Sequence, residues 1–225
     1  MRRRLTALLL LVLLAAPAIA LASGADPRRK LDAADERKAQ SIIFKREDFA
    51  AGWKRAASAV SSGGGDLSCA YYNPDGSDLT LTGHAEAEFA RGGVSSVLSY
   101  ADVYATAKDA ATAWSRTVRP ALARCLGDFF EREAAAPGMK VRVVGNGRAP
   151  FPRVAPRTAA FRIDVKMLVT QSGQTREVPL ALHLLVIGRG RAEAGFLTFA
   201  SQGVSTGDLH TYGKLLAERM KAAGF

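Results

Sequence analysis

The sequence has few of the residues that bind metals or cross-link a chain. Its 225 residues include only two cysteines, Cys69 and Cys125, and three histidines, and these five residues lack the spacing of zinc ligands. The sequence therefore predicts no metal centre. It also shows no motif for any other cofactor, and we expect the protein to work without one.

Long apolar runs are absent after residue 22, whereas a helix needs about 20 apolar residues to cross a bilayer. We therefore expect no transmembrane segment in the rest of the chain. The length suits one globular domain and is too short for a large multidomain enzyme. The composition, with 48% hydrophobic and 23% charged residues, is typical of a folded domain and argues against extensive disorder.

Catalytic motifs are missing as well. A glycine stands two positions before Ser95, but the second glycine of the serine-hydrolase elbow G-x-S-x-G is absent. Residues 145–147, Gly-Asn-Gly, lack a following helix start, so they predict a turn and no phosphate loop. Glu86 and Glu88 lie two apart on a strand, where solvated charges are commoner than a glycosidase pair. An enzyme with catalytic residues far apart in the sequence stays the alternative.

The first 22 residues have the three parts of a signal peptide. Arginines at positions 2–4 precede an apolar run at 5–16, Pro17 breaks this run, and Ala-x-Ala patterns end at positions 20 and 22. We expect residues 1–22 to be removed and the protein to be secreted. No cysteine stands just after these patterns, so a lipid anchor is not expected. An uncleaved membrane anchor is the alternative, against which Pro17 argues.

Export changes the expectation for the two cysteines. Outside the cytoplasm thiols oxidise, so a Cys69–Cys125 disulfide is the default expectation and two buried free thiols are the alternative. The two residues are 56 positions apart. Closing a loop of that size stabilises a fold by about 4 kcal/mol in the chain-entropy model.

Residues 23–43 are polar and charged, with a stretch at 31–42 that permits a helix, and we predict a spacer or a docking segment there, followed by a single domain at residues 44–225. Residues 78–89 alternate between apolar and polar side chains, which predicts a strand with one buried face. After a glycine turn, residues 94–104 predict a second strand that forms a hairpin with the first.

A helix is predicted after this hairpin, because Thr106 and Asp109 resemble a capping box and the next apolar residues repeat at helical spacing. Trp114 lies on this stripe and is predicted to be a core residue, while Pro120 predicts a kink. Four further strands and a final helix are predicted at residues 139–144, 159–170, 178–187, 192–201 and 206–221. The order β-β-α-β-β-β-β-α predicts an α+β fold, a single mainly antiparallel sheet of about six strands with helices packed on it.

The strand at residues 79–83, Leu-Thr-Leu-Thr-Gly, the strand at 94–104 and the helix start at 106–113 leading to Cys125 resemble the PknH-like extracellular sensor-type domain family. The resemblance extends over residues 44–225. It implies an antiparallel sheet with helices on it, a cleft for a ligand and no catalytic centre. Related domains are secreted proteins and lipoproteins of actinobacteria. In the kinase of that family the extracellular domain carries two disulfides, whereas this sequence has cysteines for only one.

Positive charge is concentrated in the second half. Without residues 1–22, the chain keeps 28 basic residues against 21 acidic ones, a net charge of +7. Residues 139–191 contain ten Lys and Arg against two acidic residues. Arginine binds phosphate and carboxylate groups in a bidentate manner. We therefore predict ligand-binding roles for Arg148, Arg153 and Arg157, and a solvated basic face without a ligand is the alternative.

These observations predict a secreted, non-enzymatic, sensor-like or ligand-binding domain of the cell envelope. Its expected partner is an anionic small molecule or envelope polymer, because an exported basic protein meets such anions and does not meet nucleic acid. A protein partner is a further alternative. A secreted envelope enzyme of the hydrolase type is the second hypothesis, and a purely structural envelope protein is the third.

Overall fold

The computed structural model describes residues 26–56, 67, 69–92, 95–133, 139–171, 174–200 and 205–225, so the predicted signal peptide lies outside the described residues. The strands are β1 (Arg28–Arg29), β2 (Lys54–Arg55), β3 (Thr80–Arg91), β4 (Ser95–Tyr104), β5 (Met139–Ala149), β6 (Arg157–Gln171), β7 (Gln174–Arg189) and β8 (Ala192–Ala200). The α-helices are α1 (Ala33–Ile42), α2 (Ala107–Thr117), α3 (Pro120–Glu133) and α4 (Thr206–Ala222).

One sheet contains all eight of these strands, in the order β1-β3-β4-β8-β7-β6-β5, with β2 also paired to β3. Every pairing is antiparallel except that of β1 with β3. The prediction of an α+β fold with a mainly antiparallel sheet is confirmed. The predicted count of about six strands was wrong, because β1 and β2 are two residues long and too short to show an alternating pattern.

The observed order of elements also differs from the prediction. The helix expected to kink at Pro120 is two helices, because α2 ends at Thr117 and Pro120 is the first residue of α3. Proline lacks the amide hydrogen that a continuous helix needs, but it is well suited to a first helical position. The Thr106 hydroxyl accepts a hydrogen bond from the Asp109 amide at 3.0 Å. Thr106 therefore caps the start of α2, as the sequence predicts.

The segment expected to be a polar spacer, residues 23–43, contains β1 and α1 in its described part. The Asp32 side chain caps α1, where it accepts hydrogen bonds from the backbone amides of Ala34 and Asp35 at 2.9 and 3.1 Å. Ala39 and Ile42 are fully buried against the sheet. The domain therefore includes the described part of this segment, because the helix buries its few apolar side chains on one face.

The predicted turn at residues 145–147 is also corrected, since β5 continues through it to Ala149. The register of β5 against β6 shifts between Val143 and Gly145, which is the mark of a β-bulge. Glycine within a strand commonly marks such a bulge. This extension of β5 carries Arg148 to the end of the strand.

Helices cover both faces of the sheet. The first face packs against α1 and α4, and its buried core includes Phe44, Phe89 and Phe196. The second face packs against α3 over β6 and β7, with Phe129 and Phe161 in its core. A smaller buried cluster places α2 against the ends of β3 and β4.

The predicted disulfide is present. Cys69 and Cys125 are bonded with an S–S distance of 2.03 Å and a Cα–Cα distance of 5.8 Å. Cys125 is fully buried in α3, so the bond holds the chain segment before β3 against the second face of the sheet.

No helix in the described part of the chain has both the length and the apolar character needed to cross a membrane.

Candidate functional site

The three arginines named from the sequence meet at one surface cleft of about 370 Å³. Arg148 lies near the end of β5, Arg153 lies in the connection that follows, and Arg157 is the first residue of β6. Because β5 and β6 are antiparallel neighbours, the end of one and the start of the other share a sheet edge. The remaining lining residues are Trp114, Phe151, Pro156 and Thr158.

Backbone carbonyl groups orient the three guanidinium groups. Each arginine donates a hydrogen bond from Nη2 to such a carbonyl: Arg148 to Val118 at 3.2 Å, Arg153 to Pro156 at 2.7 Å and Arg157 to Gly190 at 3.2 Å. A guanidinium group has five N–H donors, so Arg148 and Arg153 keep most of their donors for a ligand. Arg157 keeps fewer, because its Nη2 also donates to the carbonyl of Ala192 at 3.4 Å and its Nε is buried. The bonds to the backbone reduce the side-chain entropy that ligand binding would otherwise cost.

Charge balance distinguishes these arginines from others in the domain. Within the described ranges, no carboxylate lies within ion-pair distance of Arg148, Arg153 or Arg157. By contrast, carboxylates pair with Arg116, Arg162, Arg191 and Arg219. The cleft therefore holds three positive charges without a negative partner, and this arrangement attracts anions.

Aromatic rings lie beside the charges. The Arg157 guanidinium lies 5.8 Å from the ring centre of Trp114, and that of Arg148 lies 5.4 Å from the ring centre of Phe161. Phe151 forms another part of the wall, with its ring edge-on to His210 at 6.0 Å. The cleft thus offers flat apolar surface next to cationic donors, which suits an anion with an apolar part.

Trp114 is the cleft residue whose role the sequence did not indicate. It lies on the apolar stripe of α2, as expected, but its side chain is half-buried and lines the cleft. Helical spacing identifies the face of the helix on which a residue lies. It does not identify the neighbouring elements that a residue at the edge of that face contacts. Only the position of α2 relative to the start of β6 brings Trp114 to Arg157.

A second cleft, of about 460 Å³, lies between the segment before β3 and the end of α2. Its lining includes Asp78 and Arg116, and the Arg116 guanidinium donates hydrogen bonds to both carboxylate oxygens of Asp78. Since that charge is already compensated, the second cleft is a weaker candidate for an anion site.

His84 is the histidine with the strongest interactions. Its Nδ1 lies 2.7 Å from Asp102 Oδ1, and its Nε2 lies 3.4 Å from Glu86 Oε1. Burial alone would lower the pKa of His84, but its hydrogen bonds to the two carboxylates and their negative charges raise the pKa to about 10. His84 is therefore protonated at neutral pH and lacks the free lone pair of a general base.

His183 has the opposite environment. Its pKa is lowered by burial and, to a smaller extent, by the positive charge of Arg162. Within the described ranges it has no carboxylate partner that would orient it as a base. Neither histidine thus gives specific support to the hydrolase hypothesis.

The fold and the site together define the class of the protein: an α+β domain with helices on both faces of one sheet and an arginine-lined cleft at the sheet edge. No protein-family model matches the chain, and no curated protein matches its sequence. The likeness to PknH-like domains therefore stays a prediction from the sequence.

Proposed function

We propose that this protein is a secreted, non-enzymatic, sensor-like domain of the cell envelope that binds an anionic ligand in the cleft of Arg148, Arg153 and Arg157. The observation that carries the proposal is the meeting of three arginines without carboxylate partners in one cleft with aromatic walls. The Cys69–Cys125 disulfide supports export, because such bonds persist in oxidising compartments.

The ligand is inferred from the chemistry of the cleft. Guanidinium groups recognise carboxylate and phosphate oxygens, and the rings of Trp114 and Phe151 favour an apolar or planar group beside the anion. A free metabolite and a repeating unit of an envelope polymer both offer this chemistry. We therefore propose a ligand that presents a carboxylate or phosphate group to the arginines, and the experiment below separates the two sources.

Thermal-shift and calorimetric measurements on the oxidised protein test this proposal, with benzoate, inorganic phosphate and polyphosphate as probes. We expect benzoate or a phosphate probe to raise the melting temperature, and the effect to weaken at about 0.5 M salt as the charges are screened. A response to polyphosphate alone would favour a polymer, and a response to benzoate or inorganic phosphate would favour a small molecule.

Arg148→Ala/Arg153→Ala is the informative variant, because both side chains are exposed and surface substitutions of this kind change stability by only about 0.5 kcal/mol. Arg142→Ala/Arg176→Ala is the matched control, since it removes the same charge from exposed positions outside the cleft. We expect the cleft variant to lose binding and the control to keep it. Equal losses would show that only net charge matters and would contradict the proposal.

A further inference from the structure

A row of five residues crosses the sheet and ends at the cleft. The strand registers place His84 opposite Asp102, Asp102 opposite Glu193, Glu193 opposite Gly188, and Gly188 opposite Arg157. Directly opposed residues in a sheet point to the same face, so these residues all lie on the face that carries α2 and α3. The row connects the protonated His84 at one end with a cleft arginine at the other.

Gly188 allows the Arg157 side chain to extend along this row. A Cβ atom at position 188 would lie only 2.8 Å from Nη2 and 2.9 Å from Cζ of Arg157. The guanidinium therefore occupies the space directly over Gly188, on the side of Glu193. Hydrogen bonds to the carbonyls of Gly190 and Ala192, at 3.2 and 3.4 Å, and the nearby ring of Trp114 keep it there.

Glu193 lies on the other side of Gly188 and has only 6% of its surface exposed. Its Oε2 atom is buried without a hydrogen-bond partner, and the same is true of Nε of Arg157. A buried, unsatisfied carboxylate is costly. Glu193 Oε2 can accept a hydrogen bond and Arg157 Nε can donate one. Both residues lie directly opposite Gly188, one on each side.

Burial and then the negative charge of Asp102 raise the pKa of Glu193 to about 8, although the positive charge of Arg157 lowers it. The tyrosines on this face keep pKa values well above 10 because they are buried, so they stay neutral near pH 8. His84 titrates only near pH 10. Among the described residues, the charged and titratable groups that interact electrostatically with Glu193 are Asp102, Tyr100 and Tyr104 on β4, Arg157 on β6 and Tyr72 before β3.

We propose that Glu193 is a positioning residue for Arg157 and makes anion binding in the cleft depend on whether Glu193 carries a proton. The inference rests on the function proposed above and adds a regulation to the same site. With Glu193 protonated, Arg157 has no negative partner in the described part of the protein and its charge is available to the ligand. With Glu193 ionised, that charge is compensated and the ligand meets an additional negative charge.

The affinity for an anion must then fall as the pH rises through about 8. Linkage is reciprocal, so a bound anion in turn raises the pKa of Glu193. The site would hold its ligand in a mildly acidic medium and release it in an alkaline one.

Sulfate is the probe for the test, because its charge of −2 does not change between about pH 6 and pH 9.5. We expect the sulfate dissociation constant of the full oxidised protein to increase about tenfold over this range, which is typical of coupled sites. Glu193→Gln should bind sulfate with the tight, low-pH affinity throughout. Glu88→Gln is the matched control and should keep the wild-type pH dependence, because Glu88 is half-buried on the same face but lies outside the row.

Carbon-13 NMR of the Glu193 carboxyl group gives a second readout that needs no ligand. Arg157→Gln removes a positive charge that lowers the Glu193 pKa, so we expect that pKa to increase above its wild-type value of about 8. An unchanged value would overturn the coupling even if Glu193→Gln failed to fold. Sulfate binding without pH dependence would also overturn it, while leaving the proposed function intact. The absence of sulfate binding at every pH would overturn both proposals.

Discussion

At the scale of single residues, the charge of the cleft depends on the residue next to each arginine side chain. Arg157 reaches over Gly188 because that position has no side chain. Arg191 forms its bonds instead with both carboxylate oxygens of Asp35, so its charge is compensated. Two arginines on neighbouring parts of the sheet thus have different roles. The partner residue decides whether an arginine stabilises the fold or remains available for a ligand.

His84 leads to a prediction on pH and stability. A histidine whose pKa is raised on folding stabilises the native state fully below the unfolded pKa of 6.5, and this contribution is lost as the pH rises through the folded value of about 10. We expect His84→Gln to lower the free energy of unfolding by about 1–3 kcal/mol near pH 6, because two carboxylates lose a charged hydrogen-bond partner. Urea denaturation at a series of pH values measures the difference.

The wild-type protein and the variant should converge above about pH 10. His183→Gln is the control for this experiment, since the pKa of His183 is lowered and its titration lies below neutral pH. Its effect on stability should be constant from about pH 7 upwards. A His84→Gln difference that stayed constant up to pH 10.5 would show that packing, and not charge, explains the loss.

At the scale of elements, the contact between α1 and β3 fixes where the first helix lies. Gly83 of β3 meets the start of α1 so closely that a Cβ atom there would lie 2.5 Å from the carbonyl carbon and oxygen of Asp35. The Asp35 side chain accepts hydrogen bonds from Arg191 and Thr82 on the same side of the sheet. Close backbone approach and a half-buried ion pair therefore hold α1 against the sheet.

Gly83→Ala is expected to destabilise the domain by about 1–3 kcal/mol, because the new methyl group collides with backbone atoms that cannot rotate away. Gly147→Ala is the matched control on β5, where a Cβ atom has no neighbour within 4 Å. Guanidinium denaturation of the two variants compares them with the wild-type protein. Equal midpoints for both variants would mean that α1 moves aside without cost.

At the scale of the whole molecule, α3 and the segment before β3 are joined by the single disulfide. Buried residues on both sides of the bond, Leu67 and Tyr72 before β3 and Leu126 in α3, belong to one core cluster. Tyr72 also donates a hydrogen bond to the carbonyl of Thr117 at 2.9 Å. The bond therefore closes a long loop around a packed region and constrains the unfolded chain.

Removal of this bond by Cys69→Ala/Cys125→Ala should lower the free energy of unfolding by about 4 kcal/mol, given a sequence separation of 56 residues. Chemical denaturation measures the loss, and reduction of the wild-type protein should produce a similar one. The double variant should not change further under reducing conditions. If the oxidised and reduced proteins had the same midpoint, the stabilisation by loop closure would be refuted.

Local patterns explain why much of the architecture could be predicted. The alternation at residues 78–89 marks β3, and the capping residues Thr106 and Asp109 mark the start of α2. The two shortest strands carry no such signal, since a pair of residues cannot show a period. The sequence of α1 predicts a spacer or docking segment, because only a few of its side chains are apolar, and these are enough to anchor it on the sheet.

The cleft could be predicted only in part. The density of arginine in residues 139–191 pointed to Arg148, Arg153 and Arg157, which do lie together. The neighbouring sequence does not distinguish these three arginines from Arg162, which lies in the same stretch but forms an ion pair with Asp164. Glu193 is the one ionisable residue of the mostly apolar strand β8, but the residues opposite it lie on other strands, where the sequence of β8 cannot indicate them.

The sequence by itself determined the fold class, the long strands and the single disulfide, because hydrophobic periodicity, capping residues and cysteine count act over short distances or leave one choice. Tertiary structure alone decided which arginines keep an uncompensated charge and which residues lie next to them across the sheet. Strand register brings Arg157, Gly188 and Glu193 into one row from three different strands. Such a row is a property of the assembled sheet, and burial within the sheet is what perturbs the Glu193 carboxyl group.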